Sequence, residues 1–407
     1  MNYSNTVSLS NTGWYLDTKP STLLGRWTNC ADIVTVITKD AYGIQVLSGV
    51  TVNTLGGDDI ISGRTPNIRR GFGLLNLGTI NTGSGNDTIT GLGRYDNAIG
   101  NFGTINTGSG DDTISGYNRI YNKGGIIDTG SGKDTINSGI INAGIINTRC
   151  GDDTITADTG IKNNYKSIIN TGSGNDTITA TDDFAITNLG VINTGTGNDT
   201  ITATGDLIGI YSTNNSIIKT GAGNDNITAT GDEGIYNNNS TIDTGSGNDT
   251  ITATSINNAL LGIIDTGDGN DIIIGVGNSV GIYNDSTIDT GAGNDIVDAL
   301  TGGFGGSGNT LLGNGADTLR GFGSGFFSLF LSSGFISSGF FDGGDGKDQL
   351  LFGSGTYSIS NTTDSTGYYT ISNGTTYMLV KNFELIGSAS NGAAFSFTSV
   401  IGENFTI

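Results

Sequence analysis

Histidine is absent from the 407 residues, and proline and cysteine occur twice each. Without histidine the chain lacks the commonest general base and a principal zinc ligand. Two cysteines, Cys30 and Cys150, exclude a disulfide scaffold. Nor is a bridge between them expected: Cys30 precedes the first repeat and Cys150 lies in the fifth, several layers away at about 4.8 Å each. Basic residues are scarce, 17 against 38 acidic, for a net charge of −21. That balance excludes electrostatic binding to nucleic-acid phosphates or an anionic membrane surface. Long apolar runs are missing too. The uncharged stretch Gly321 to Phe341 contains 6 Ser and 5 Gly among 10 apolar residues, too polar for a spanning helix. Met1 to Ser10 has neither a basic nor an apolar signal-peptide region, so no N-terminal export signal is expected.

Glycine is what the chain has in excess, at 70 positions, while hydrophobic residues reach only 34%. An ordinary compact core needs more apolar material. Yet isoleucine recurs at regular intervals, which disorder does not explain. A repeat array, each short unit burying a few residues on its neighbours, satisfies both facts.

The unit is Thr-Gly-x-Gly-Asn-Asp-Thr-Ile. Its final aspartate falls at Asp59, Asp87, Asp112, Asp134, Asp153, Asp176, Asp199, Asp225, Asp249, Asp271 and Asp295, with weaker copies at Asp317 and Asp348. Spacing is mostly 22 to 26 residues, between extremes of 19 and 31. Each unit reads as three extended segments, as in Phe184–Thr187, Val191–Thr194 and Thr200–Thr204, where polar and apolar residues alternate as in a half-buried strand.

Stacked units align three aliphatic ladders. One runs from Ile89 through Ile114 and Ile136 to Ile273, a second from Ile80 through Ile105 and Ile127 to Ile288, and a looser third from Ile120 through Ile140 to Ile282. A polar ladder of Asn76, Asn101, Asn122, Asn142, Asn163, Asn188, Asn237 and Asn284 occupies another corner. Asparagine there tolerates left-handed backbone and bonds to the next coil, so it reads as structural. These patterns specify an all-β chain: a right-handed parallel β-helix of about 12 coils of ~23 residues each.

Stacking also puts the aspartates in a column roughly 5 Å apart, where like charges repel by about 1 kcal/mol per neighbour even in water. No row of lysine or arginine accompanies them. Divalent cations between turns would cancel the repulsion, and Ca²⁺, which takes six to eight oxygens in flexible geometry, suits such corners. A single copy would be read instead as a tight turn with the aspartate bonded to backbone. Repetition in register favours calcium.

The corners resemble the calcium-binding nonapeptide of RTX (haemolysin-type) proteins, Gly-Gly-x-Gly-x-Asp-x-U-x with U apolar, over roughly Thr54 to Phe352. In that family Ca²⁺ lies between turns, held by aspartates and turn carbonyls, and drives folding after export. The resemblance implies ligands at Asp87, Asp112, Asp134, Asp176, Asp199, Asp225, Asp249, Asp271 and Asp295, with the turn backbones at Gly172, Gly174, Gly195, Gly197, Gly245 and Gly247. There are departures. Threonine usually replaces the first glycine, and the motif occurs once per coil, implying one row of ions. Arg149 stands at a glycine position and Lys133 beside Asp134, so those corners are expected to bind weakly.

Residues 1–53 are expected to form an N-terminal cap, 54–352 the calcium-binding solenoid and 353–407 a β-structured C-terminal cap. The last region is also similar to the uncleaved type I secretion signal of RTX proteins. That similarity implies an extracellular or cell-surface location without an N-terminal signal peptide.

The leading functional expectation is a structural or adhesive calcium-binding protein, not an enzyme. Its partners are calcium ions and a cell-surface polysaccharide or other surface component. A polysaccharide-modifying β-helix enzyme would need a charged constellation interrupting the ladders, and none is legible; Tyr211, Tyr236 and Tyr283 read as stacked surface aromatics. Rows such as Thr177/Thr179/Thr181 and Thr200/Thr202/Thr204 suit ice binding, but Asn137 and Ile272/Ile274 break them. Phe326–Leu331 and Phe340–Phe341 would form an interaction or membrane-touching patch if exposed and extend the core of the last coils if buried, and the buried arrangement is expected.

Overall fold

Isoleucine flanked by threonine or asparagine favours extended backbone, because a β-branched side chain packs well on a pleated surface. In the computed structural model these segments become parallel strands stacked coil on coil. It describes residues 6–10, 14–16, 29–37, 42–65, 71–93, 97–323 and 337–407, in two compact units, Met1–Thr202 and Ala203–Ile407.

In the first unit, strands Thr79–Ser84, Thr88–Gly93 and Asn97–Asn101 make one coil. Its neighbours pair with it in parallel. One ladder reads Ile80, Ile105, Ile127, Ile146, Ile169, Ile192, and a second Ile89, Ile114, Ile136, Ile155, Ile178. The third reads Ile99, Ile120, Ile140, Ile161, Ile186. All are buried, each contributing about 1.5–3 kcal/mol. The second unit repeats the plan with Ile218, Ile242, Ile264, Ile288; with Ile227, Ile251, Ile273, Val297, Leu319, Leu350; and with Ile210, Ile235, Ile256, Ile282, Phe304. The fold class is a parallel β-solenoid.

Division of each coil into three separate segments holds only in part. Thr135–Asn147 is one continuous strand, and so is Thr177–Asn188. Only 19 residues separate Asp134 from Asp153, which leaves no residues to spare for a turn between segments.

The asparagine ladder is a chain of side-chain amides. Asn76 donates to Asn101 at 2.8 Å, Asn101 to Asn122 at 2.9 Å, Asn122 to Asn142 at 2.9 Å and Asn142 to Asn163 at 3.0 Å. In the second unit Asn237 donates to Asn258 and Asn258 to Asn284. Ser212 holds this place in register with Asn237, and its hydroxyl pairs with that of Ser216.

Parallel stacking begins before the repeat motif does. Thr6–Ser10 pairs with Ile33–Ile37, which pairs with Ile60–Thr65, and Trp14–Leu16 pairs with Tyr42–Val46. At the other end Tyr377–Lys381 and Leu385–Ser388 still stack in parallel. Antiparallel pairs then follow: Thr356–Ile359 with Tyr369–Ser372 and Asn404–Thr406, and Leu385–Ser388 with Ala394–Ser396. Such pairs occupy strand edges that would otherwise template another chain. Phe341 is buried against Phe304, with ring centres 5.0 Å apart, while Phe326–Leu331 lies outside the described residues. Among the described residues no helix is long and apolar enough to cross a membrane.

Candidate metal centre

Both glycines of a corner are dictated by stacking. Gly172 and Gly174 have φ of +105° and +127°, Gly195 and Gly197 +104° and +130°, and Gly245 and Gly247 +99° and +126°. A Cβ on Gly174 would sit 2.0 Å from the carbonyl oxygen of Gly151, and one on Gly197 1.8 Å from that of Gly174. Each corner therefore rests its backbone directly on carbonyls of the corner before it. Arg149 keeps the same left-handed geometry, with φ of +74°. Its guanidinium turns outward to a bidentate pair with Asp128.

The threonine that opens each corner is buried and bonds forward. Thr82 donates to the carbonyl of Thr107 at 3.1 Å, Thr171 to that of Thr194 at 3.1 Å, and Thr220 to that of Thr244 at 3.1 Å.

Every aspartate named from the motif is buried inside its corner. In the first unit the backbone N–H of Asp59 donates to Oδ1 of Asp87 at 2.8 Å, and that of Asp87 to Asp112 at 2.7 Å. The pattern continues from Asp112 to Asp134, Asp134 to Asp153, Asp153 to Asp176 and Asp176 to Asp199, each at 2.8 Å. In the second unit it runs from Asp225 to Asp249, Asp249 to Asp271, Asp271 to Asp295, Asp295 to Asp317 and Asp317 to Asp348, again at 2.8 Å. Backbone bonding does occur, as a tight-turn reading of one copy would have it, but between coils rather than within a turn.

The second carboxylate oxygen is different. Oδ2 of Asp59, Asp87, Asp112, Asp134, Asp153 and Asp176, and of Asp249, Asp271, Asp295, Asp317 and Asp348, is buried with no hydrogen-bond partner. Burial pushes these carboxyls up. Asp112 and Asp153 reach about 7, opposed by the polar corner threonine nearby and by the backbone N–H on Oδ1, and assisted by the neighbouring aspartate charges. Asp176, Asp249, Asp271 and Asp295 reach about 6, again chiefly through burial. Nearby cations serve other acids: Arg149 pairs with Asp128, Lys219 with Asp243, Arg320 with Asp298 and Lys381 with Asp342.

The donor set is all oxygen, which suits a hard cation. Among the described residues no three acidic, histidine or cysteine groups converge as a ready-made chelate. An ion here would therefore take carboxylate oxygens from the column and complete its shell with backbone carbonyls. The orphaned Oδ2 atoms and the carbonyl-lined glycine turns fit that requirement.

Sequence reading missed both ends of the column and the row outside it. Asp32, buried, donates its N–H to Asp59 at 2.7 Å, and Asp348 donates to a Glu384 carboxylate oxygen at 2.7 Å. Asp32-Ile33-Val34 and Glu384-Leu385-Ile386 repeat the acid–x–aliphatic pattern of a corner without its glycines. Outside, Asn86 donates its N–H to Asp58, Asp111 to Asn86 Oδ1 and Lys133 to Asp111. This outer ladder bonds toward the preceding coil, the inner one toward the following coil. Cys150 is an exposed free thiol at its corner, so the two cysteines are not bridged.

No protein-family model matches the chain, and no curated protein matches it in sequence. Among solved structures it is similar to the X-ray crystal structure of a hyperactive, Ca²⁺-dependent, β-helical antifreeze protein from an Antarctic bacterium. The identity is 18%, the match covers 86% of this chain and 85% of that one, and the TM-score is 0.47.

Proposed function

We propose that this is an extracellular calcium-binding solenoid of the RTX type, with a structural or adhesive role and a fold completed by Ca²⁺. The observation that carries the reading is the set of buried, partnerless Oδ2 atoms, repeated coil after coil. An uncompensated buried carboxylate costs several kcal/mol. Calcium supplies the missing positive charge when bound. Asp87, Asp112 and Asp176 in the first unit and Asp249, Asp271 and Asp295 in the second would hold it, with the carbonyls of their glycine turns, and the Lys133 and Arg149 corners at Asp134 and Asp153 would hold it more weakly. Binding that requires folded corners is folding free energy, so external calcium would gate folding after export. The chain then acts as a rigid surface element, not a catalyst.

Titrating Ca²⁺ into a chelated sample, followed by circular dichroism and by metal analysis of the recovered protein, tests this. β-structure or melting temperature should rise with calcium, and calcium should be recovered with the protein. A chelated chain that keeps its full β-signal and melting temperature, with no metal recovered, sinks the proposal.

One observation favours a second reading, ice binding. In the first unit Thr88, Thr113, Thr135, Thr154 and Thr177 lie in unbroken register on one sheet. The row beside it, Thr90, Ser115, Asn137, Thr156 and Thr179, is mixed. Thermal hysteresis in calcium buffer would support this reading, and its absence would remove it.

A further inference from the structure

The second unit carries a groove of about 830 Å³ on its side, lined among others by Asp232, Glu233, Tyr236, Asn257, Leu260 and Tyr283. It arises from one interruption in a column of aromatic side chains. Tyr211 and Tyr236, on successive coils, stack face to face with centroids 5.2 Å apart and planes 5° from parallel. The next coil presents Asn257 at this register position, and the coil after it Tyr283. A flat ring is missing where the stack would have its next member.

The rings bounding the gap are held in the same manner. The Tyr236 hydroxyl accepts from Asn238 at 2.7 Å, and the Tyr283 hydroxyl donates to Asp285, in each case to the side chain two residues on. Two coil steps separate the rings by about 9.6 Å, which admits one puckered six-membered ring with its carbons about 4.5 Å from each aromatic face and its axial C–H groups directed at them. At the gap, Oδ1 of Asn257 is buried without a hydrogen-bond partner. Glu233, whose carboxylate accepts from the Asn257 side chain, and Asp232 add further acceptor oxygens, and among the described residues the lining includes no lysine or arginine.

The occupant must therefore present flat C–H faces and several hydroxyl donors, and carry no negative charge. We infer that the Tyr236–Asn257–Tyr283 slot binds a neutral pyranose unit of a polysaccharide. Stacking on the tyrosines supplies contact area, and sugar hydroxyls donate to Asn257 and Glu233. This inference does not depend on calcium occupying the corners.

The test is isothermal titration of the folded full chain in calcium buffer with neutral hexaoses (maltohexaose, laminarihexaose, mannohexaose, galactohexaose) and with hexagalacturonate. At least one neutral hexaose should bind and the uronate should not. Asn257→Tyr, which continues the stack and fills the slot, should weaken binding at least tenfold with an unchanged circular dichroism spectrum. Tyr283→Ala should do the same by removing one wall. Tyr165→Ala, an exposed tyrosine outside the groove, should leave binding unchanged. Failure of all four neutral sugars to bind, preference for the uronate, or binding insensitive to both slot variants overturns the inference.

Discussion

The backbone N–H of Asp249 donates to Oδ1 of Asp271, one coil on, at 2.8 Å, while Oδ2 of Asp271 is buried with no partner. One carboxylate thus has a structural half and an unmet half. An amide keeps the first and drops the charge. In chelator, Asp271→Asn should leave stability unchanged or raise it, whereas Asp271→Ala, which orphans a buried N–H, should cost about 1–3 kcal/mol. In calcium both should lose part of the metal-induced rise in melting temperature. Thermal melts of the two variants with and without calcium check this.

The raised carboxyl values give a pH dependence with a definite sign. Asp112, Asp153 and Asp317 reach about 7, and Asp59, Asp176 and Asp295 about 6, against 3.8 for an ordinary aspartate. A folded-state value above the unfolded one means that the native chain binds more protons, so stability falls as pH rises between those values. The chelated protein should melt at a lower temperature at about pH 8 than at about pH 5, losing stability chiefly between about pH 4 and 7. Calcium competes with those protons and should add most stability at the alkaline end. Melts across this range, with chelator and with calcium, decide it. A calcium increment larger at pH 5 than at pH 8 would contradict carboxylate ligation.

The isoleucine and asparagine ladders were legible because each element contributes a residue type with few alternative uses at a fixed distance from the motif. Asn258 follows Ile256 at the usual spacing but escaped that reading beside a second asparagine, Asn257, and Ser212 because a hydroxyl replaces the amide. The corner aspartates were visible as a column, but not the split between their oxygens, since register sets which N–H faces which carboxylate. Asp32 and Glu384 stayed hidden because the glycines that mark a corner are absent from the residues before them. The groove was invisible for a related reason: a single asparagine among tyrosines acquires meaning only when coils are superposed.

The amide ladder predicts its own mutational scale. Asn122 accepts from Asn101 and donates to Asn142 and to the carbonyl of Ile145, all in a buried setting. Asn122→Leu should cost about 2–3 kcal/mol by stranding those partners. Asn122→Ser should cost less, because Ser212 fills the same position elsewhere in the chain. Comparing the two by chemical denaturation checks the ladder, and equal losses would assign the cost to packing instead.

The corner glycines and Arg149 make opposite predictions from one geometry. A Cβ on Gly174 would meet a backbone carbonyl at 2.0 Å in addition to adopting φ of +127°, so Gly174→Ala should cost well over 1–2 kcal/mol, the usual left-handed penalty alone being about that. Arg149 already bears that penalty at φ of +74° and recovers part of it through its exposed pair with Asp128. An exposed pair is worth about 0–1 kcal/mol. Relief of backbone strain should therefore win, and Arg149→Gly should stabilise the protein by up to about 1 kcal/mol. Denaturation midpoints measured in chelator separate this backbone effect from any change in metal binding. Destabilisation by Arg149→Gly there would mean that the pair with Asp128 outweighs the strain.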